Sequence, residues 1–273
     1  MKKYIPRILM ILFAAVFLVS AGILANYFIN SQKQKNQYND LAELVQQAQQ
    51  QTPSSGESVD PTTPPKPVYT EVIHPDTGEK LQILTEYAKI FQMNTDTVGW
   101  IRINGTKVNY PVMQAPRQES YYLKRDFYKK DSRFGCIYAE EDADLSLPSD
   151  NITLYGHNMN DGSMFASLHK YNSKEFYEEN PYITFDTLYE HRIYQIIAVF
   201  NTTDLWETGF AYHLFVDGNK IEFAEFVTEC KNLSLYDTGV SATYGDQLLT
   251  LSTCDNDYED DHGRFAVVAK RIA

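Results

Sequence analysis

Short apolar strands separated by turn residues recur from Val98 to the end of the chain, and they constrain the fold more than any other feature. Residues 98–103 and 108–113 alternate in the manner of strands, and Asn104 and Gly105 between them are typical of a tight hairpin. Roughly eight such strands occur, with two or three helices among them and no internal repeat. This pattern predicts a mostly β fold with inserted helices, either a closed barrel or a sandwich.

The spacing of the apolar residues predicts the positions of the other helices and strands. Spacing of three and four residues predicts helices over 80–94, 164–171 and 220–231. Alternation predicts further strands at 134–139, 151–155, 182–185, 191–200, 249–254 and 264–272.

The strand at 249–254 ends at Cys254, and a polar, acidic loop follows before the next strand begins at Arg264. Loops at strand ends are where rigid scaffolds present reactive groups, although a cysteine there can also be a small buried apolar residue. If the two strands are antiparallel neighbours, Arg264 lies beside Cys254 and could favour the thiolate or bind an oxyanion. The alternative is an arginine that pairs with a loop carboxylate.

A thiol nucleophile needs a base or a cation nearby, and His157 is the histidine best placed to be one. It follows the strand at 151–155 after Gly156, which is the same strand-end setting as that of Cys254. The remaining five histidines have simpler interpretations as spacer, core, surface or solvated residues: His74, His169, His191, His213 and His262.

Cysteine spacing and charge exclude several kinds of site. The three cysteines are far apart and form no CxxC pair, so we predict no thiolate metal site and no cofactor. Cys136 and Cys230 are either joined in a disulfide or both buried and reduced. A net charge of −12 argues against nucleic acid as a partner. The acidic run at 255–261 lacks the spacing of a calcium loop, and we interpret it as solvated, with roles in substrate preference or cation binding left open.

The amino-terminal region predicts a membrane anchor. Residues 1–7 carry Lys2, Lys3 and Arg7, and 8–29 form an apolar tract about as long as a bilayer requires. The positive cluster predicts a cytoplasmic amino terminus and an extracellular remainder, a cleaved signal peptide being the alternative. Residues 30–74 are predicted to be a stalk helix and a disordered linker, and 75–273 the catalytic domain.

The order His157, Cys254, Arg264 resembles that of the sortases. The Leu-Ser-Thr-Cys run at 251–254 with Arg264 ten residues later is similar to the sortase active-site strand pair, and Tyr155-Gly156-His157 is similar to its histidine motif. Class B resembles the chain most closely, from about residue 80 to the end. The segments that carry this likeness are 98–101, 110–112, 122–123, 151–157, 161–165 and the helix at 220–231.

The resemblance implies an eight-stranded sortase-type β-barrel with an N-terminal helix and a helix between strands 6 and 7. It implies a cysteine transpeptidase in which Cys254 attacks the Thr carbonyl of a sorting motif near the carboxyl end of a surface protein. His157 would protonate the leaving amine, and Arg264 would hold the substrate or the oxyanion. An amine of the peptidoglycan cross-bridge, delivered on lipid II, would resolve the thioacyl intermediate at the wall of a Gram-positive bacterium.

The resemblance also implies a peptide groove that includes Leu123, Tyr155, Ser252 and Thr253. Three other functions stay open: a pilus-polymerising sortase that uses a pilin lysine, a cell-wall cysteine peptidase, and a membrane-tethered binding module. The peptidase fits poorly, because such enzymes usually place the cysteine before the histidine and at the start of a helix.

Overall fold

The structure is a computed structural model that describes residues 5–51, 60–115, 117–118, 120–145, 149–203, 209–255 and 262–273. The chain divides into two compact units, the first ending at Asp40 and the second beginning at Leu41. Residues 52–59 of the predicted stalk and linker lie outside the described residues, as does all of the acidic run except Asp255.

A single long helix, α1 (Ile5–Gln51), includes the predicted anchor and the predicted stalk. The helix is long and apolar enough to cross a membrane. Its large apolar side chains between Leu9 and Ile29 are exposed, Phe13 at 72% and Phe17 at 71%. A helix that exposes such residues needs an apolar surrounding, which is consistent with a membrane anchor.

In its described residues, the second unit contains ten strands and three further α-helices. The strands are β1 (Tyr69–Ile73), β2 (Lys80–Leu84), β3 (Thr97–Arg102), β4 (Asn109–Met113), β5 (Ile137–Ala139), β6 (Asn151–Tyr155), β7 (Tyr182–Thr187), β8 (Ile193–Thr203), β9 (Leu248–Cys254) and β10 (Gly263–Arg271). The helices are α2 (Ala88–Met93), α3 (Lys174–Glu179) and α4 (Lys220–Leu233).

Eight strands close into a barrel in the order β10-β8-β7-β3-β4-β5-β6-β9, and β1 and β2 form a separate two-stranded sheet. The pairs β4–β5 and β6–β9 are parallel, whereas the other pairs in the barrel are antiparallel. The eight-stranded mostly β fold is therefore confirmed. Closure leaves no free edge, because each of these strands has two hydrogen-bonded neighbours.

Helix α4 lies between the sixth and seventh barrel strands, as predicted. Asn219 caps its first turn through a capping box with Glu222, and this begins the helix at Lys220. Its apolar face, Phe223, Phe226 and Cys230, packs in one cluster with barrel residues. A helix can cover a closed barrel only from outside, so this cluster marks the outer face of β9 and β10.

Several boundaries differ from the prediction. The helix expected over 80–94 is wrong at its start, because Lys80–Leu84 is strand β2, paired with β1, and helical turns begin at Thr85. Strand β5 is shorter than 134–139 and begins at Ile137. The helix expected over 164–171 is a 3-10 helix over Ala166–Asn172, followed by α3. All three cysteines are free, with Cys136 and Cys230 buried.

Candidate active site

Strand pairing places Arg264 and His157 on either side of Cys254. In the antiparallel pair β9–β10, Arg264 lies directly opposite Cys254. In the parallel pair β6–β9, Tyr155 lies beside Ser252. His157 comes two residues after Tyr155, and Cys254 comes two residues after Ser252. The ladder continues past the strand end, because Gly156 N donates to Ser252 O at 3.1 Å. The three residues therefore form one row across three adjacent segments of the protein.

The row lies on the outer face of the barrel. Side chains alternate along a strand, so Cys254 points to the same side as Leu248, and Arg264 to the same side as Ala266. Leu248 and Ala266 belong to the cluster beneath α4. The side chains of Cys254 and Arg264 therefore lie on the outside of the barrel rather than in its interior.

Backbone contacts hold His157 in place. Its Nε2 donates to the Leu123 carbonyl at 2.7 Å, since a carbonyl oxygen can only accept. Its own carbonyl accepts from Phe165 N at 3.0 Å. With Nε2–H donated to the Leu123 carbonyl, Nδ1 is the nitrogen that would exchange a proton if His157 acts as predicted.

A cleft of about 680 Å³ brings all seven predicted site residues together. They are Cys254, His157, Arg264, Leu123, Tyr155, Ser252 and Thr253. Cys254 and Arg264 are partly exposed, whereas Ser252 and Thr253 are 2% and 3% exposed. The Ser252 side chain lies on the same side of β9 as that of Cys254, and the Thr253 side chain on the opposite side. The remaining lining comes from segments near residues 120, 138–142 and 212–216.

Tyr138 and Glu140 line the cleft in addition to the predicted residues, and both contact the predicted Tyr155. Tyr155 OH donates to Glu140 Oε2, and the Tyr138 ring lies 5.3 Å from the Tyr155 ring. Burial, and then the nearby Glu140 carboxylate, raises the pKa of Tyr155. Burial also raises the pKa of Tyr138 to about 12. Both phenols are therefore neutral hydrogen-bonding groups. Glu140 directly follows the strand predicted at 134–139. That strand-end position was the feature of the sequence that could have indicated Glu140 as a site residue.

Tyr212 supports the floor of the cleft. Its hydroxyl lies 2.6 Å from Ser252 Oγ, and the residue is 1% exposed. This contact joins the segment before α4 to strand β9. The sequence pattern alone gave no assignment of pocket residues in 202–212, since the partner of Tyr212 lies forty residues away.

Asn158 and His169 contact the backbone of Cys254. Asn158 Nδ2 donates to Cys254 O at 3.0 Å, and His169 Nε2 lies 3.3 Å from the same oxygen. Sequence reasoning assigned His169 an ordinary structural role and did not consider Asn158. The only available signal was that Asn158 directly follows His157.

The sortase domain family model matches residues 101–272, which include the whole row and its cleft. The chain belongs to the sortase family. Sortase B of Staphylococcus aureus is 34% identical over 187 residues, covering 68% of this chain and 75% of that protein. Sortase B of Listeria monocytogenes is 30% identical over 191 residues, covering 70% of this chain and 76% of that protein.

The fold is similar to that of solved sortase B structures. The S. aureus sortase B–substrate complex aligns with a TM-score of 0.71 and 27% identity, covering 89% of this chain and 98% of that one. The predicted class B assignment is confirmed, and these relatives indicate that the sortase is a cysteine transpeptidase.

Proposed function

We propose that this sortase cleaves a sorting motif of a surface protein after Thr and joins the new carboxyl end to a peptidoglycan cross-bridge amine. The observation that carries the proposal is the row of His157, Cys254 and Arg264 at one end of the cleft. A thiol, a proton carrier and a fixed cation are the groups that acyl transfer through a thioester requires.

Cys254 is the nucleophile in this proposal. Among the three cysteines it alone is partly exposed, and it alone lines the cleft. Burial raises the pKa of Cys230 well above its usual value, so that thiol stays protonated and inert. The Cys254 thiolate attacks the Thr carbonyl carbon, and the Arg264 guanidinium stabilises the oxyanion that develops there.

His157 moves the proton in both halves of the reaction. When the Thr–X bond breaks, protonated His157 gives its proton to the leaving amine, and a thioester to Cys254 remains. The acceptor amine then gives a proton to His157, attacks the thioester and expels the Cys254 thiolate. One amide is exchanged for another, so no other reactant is needed.

The peptide occupies the groove that leads to this row. Leu123, Tyr155, Ser252 and Thr253 line it, in accord with their place in the cleft. The S. aureus sortase B was solved as a substrate complex, and its likeness to this chain supports a peptide in the same cleft. Cleavage of a peptide library would identify the residues that flank Thr in the motif.

We also propose that residues 8–29 anchor the sortase in the membrane with its amino terminus in the cytoplasm. Residues 30–74 would be the stalk and linker, and 75–273 the extracellular catalytic domain. The exposed apolar residues of α1 and the cations Lys2, Lys3 and Arg7 support this arrangement. The two-stranded sheet β1–β2 adds ordered structure before residue 75, from Tyr69 onward.

The test is transpeptidation by the full chain in detergent micelles, with a library of x-Pro-x-Thr-x peptides and triglycine as the acceptor. We expect cleavage after Thr and a product extended by triglycine, with no product from Cys254→Ala. Cys230→Ala, which removes a buried thiol that does not line the cleft, is the matched control and should stay active. Full activity in Cys254→Ala would refute the proposal. Preference for a lysine side-chain amine over triglycine would indicate pilus polymerisation instead.

A further inference from the structure

The carbonyl of Cys254 is surrounded by two side chains to which the proposed mechanism gives no role. Asn158 Nδ2 donates to this oxygen at 3.0 Å, and His169 Nε2 lies 3.3 Å from it. Asn158 Nδ2 and His169 Nε2 are 3.1 Å apart. The three groups thus form a closed triangle beside the backbone of the proposed nucleophile.

The hydrogens of this triangle can be assigned from its chemistry. A carbonyl oxygen only accepts, and the Asn158 amide nitrogen carries two hydrogens. One hydrogen goes to Cys254 O, and the other points to His169 Nε2, which accepts it when that nitrogen is unprotonated. In this tautomer His169 carries its hydrogen on Nδ1. The assignment satisfies both amide hydrogens, and it makes the 3.3 Å approach of His169 Nε2 to Cys254 O a contact between two acceptors rather than a hydrogen bond.

The triangle also connects the neighbours of all three residues in the row. Asn158 directly follows His157 in the chain. The ring of His169 lies over the ring of Phe265, with centroids 4.5 Å apart, and Phe265 directly follows Arg264. The third member is the backbone of Cys254 itself. A shift of the triangle therefore moves the nucleophile, the proton carrier and the cation relative to one another.

We propose that Asn158 and His169 are positioning residues for transpeptidation, which set the spacing of Cys254, His157 and Arg264. The inference rests on the proposed roles of those three residues. Asn158 holds the backbone of Cys254 against the loop that carries His157, and His169 holds the Asn158 amide in the orientation that reaches the Cys254 carbonyl. Acyl transfer depends steeply on such spacing, because small misplacements of reacting groups remove much of the rate advantage.

The first test is Asn158→Ala in the full chain, assayed for transpeptidation per thiol titrated with a thiol-reactive probe. We expect kcat to fall about tenfold, the effect of one lost hydrogen bond on a reactive geometry, with the peptide KM changed less than about twofold. Asn158→Asp removes the donor but preserves the shape, and should be at least as impaired. A role limited to stability would lower Tm and leave kcat per titrated thiol unchanged.

The second test is His169→Phe, which retains a ring over Phe265 and removes the nitrogen. We expect a smaller loss of kcat, about threefold, because Asn158 can still reach the carbonyl. The double variant should be no worse than Asn158→Ala alone, since both side chains act through one contact. If the two losses multiply, the triangle does not act as a unit and the proposal is wrong.

Asn180→Ala is the matched control. Asn180 Nδ2 donates to Phe176 O at 3.1 Å, a part-buried amide-to-carbonyl contact outside the cleft. Its loss should lower Tm without lowering kcat per titrated thiol.

The outcomes separate this inference from the proposed function. If Cys254→Ala is inactive while Asn158→Ala and His169→Phe both stay within twofold of the parent, the positioning role is refuted and the nucleophile stands. If Cys254→Ala is active, the proposed function itself has failed. If Asn158→Ala does not fold, the kcat of His169→Phe decides.

Discussion

At Cys254, the pairing of strands rather than the local sequence determines which groups surround the thiol. Arg264 faces it across an antiparallel pair, and His157 extends the parallel pair on the other side. The Leu123 carbonyl orients His157 through Nε2. A backbone carbonyl thus orients the side chain of His157, and strand register sets which residues lie beside Cys254.

At the scale of single residues, the first prediction concerns the Arg264 guanidinium. A guanidinium presents several donors in a fixed plane, whereas an ammonium is a compact point charge. Arg264→Lys should therefore retain the charge but lower kcat/KM by about a hundredfold, as expected when an aligned oxyanion donor is lost. Steady-state transpeptidation kinetics of the full chain would measure this.

Lys270→Ala provides the control at the opposite end of β10. Lys270 makes only a 3.8 Å ion pair with Asp246, so its loss should change kcat/KM less than about twofold. Full activity in Arg264→Lys would contradict a role for the guanidinium plane and leave only its charge.

At the scale of elements, the turn after β2 is attached to the barrel by a buried polar cluster. Tyr87 OH donates to Asp186 Oδ2 at 2.6 Å, and His191 Nδ1 lies 3.0 Å from the same oxygen. His191 Nε2 is 3.5 Å from Glu86 Oε1, and Arg102 is 3.6 Å from Asp186. Residues from four segments meet here, so this cluster joins the β1–β2 sheet and its turn to the barrel.

The cluster predicts a pH dependence of stability. Burial by itself lowers the pKa of His191, but the Asp186 and Glu86 carboxylates outweigh it and raise the pKa above 6.5. A pKa that is higher in the folded state contributes stability fully below the unfolded value and loses it as pH rises through the folded value. The Tm of the parent should therefore fall from pH 6 toward pH 9 more steeply than that of His191→Gln.

Thermal unfolding of the two full-length proteins across this range measures the difference. The gap in Tm between parent and variant should be largest near pH 6 and shrink as pH rises. A gap that grows with pH would mean that His191 is neutral in the folded protein and that the carboxylates do not hold its proton.

At the scale of the whole molecule, a helix suited to a membrane precedes a catalytic barrel with a strongly negative net charge. The formal charge of the chain is −12, yet its first seven residues carry Lys2, Lys3 and Arg7 and no acidic residue. This asymmetry predicts the orientation of the anchor, because cationic flanks stay on the cytoplasmic side.

The corresponding prediction concerns localisation. The full chain expressed in a Gram-positive host should sediment with membranes and resist carbonate extraction, and protease added to intact cells should digest the barrel. Deletion of residues 1–29 should release the protein from the membrane fraction. Equal membrane retention of this deletion variant would show that the first helix is not the anchor.

Local patterns were sufficient to predict most of the elements. Alternation and turn chemistry lie within a few residues of one another, so the β3–β4 hairpin, the hairpin of β7 and β8, and α4 follow from the sequence. The stretch Lys80–Leu84 was misjudged because Leu81, Ile83 and Leu84 fit a helical period as well as a strand. Pairing with β1, which the sequence alone did not reveal, makes it a strand.

The sequence by itself determined the mostly β class, the apolar first helix and, through its resemblance to the sortases, seven of the residues that line the cleft. Only the tertiary structure decided that His157 and Arg264 flank Cys254, because the register of β6 against β9 joins residues nearly a hundred positions apart. The contacts of Leu123 O, Asn158 and His169 likewise depend on folding. Periodicity records which side of an element is buried, but it carries no information on which distant group will lie against it.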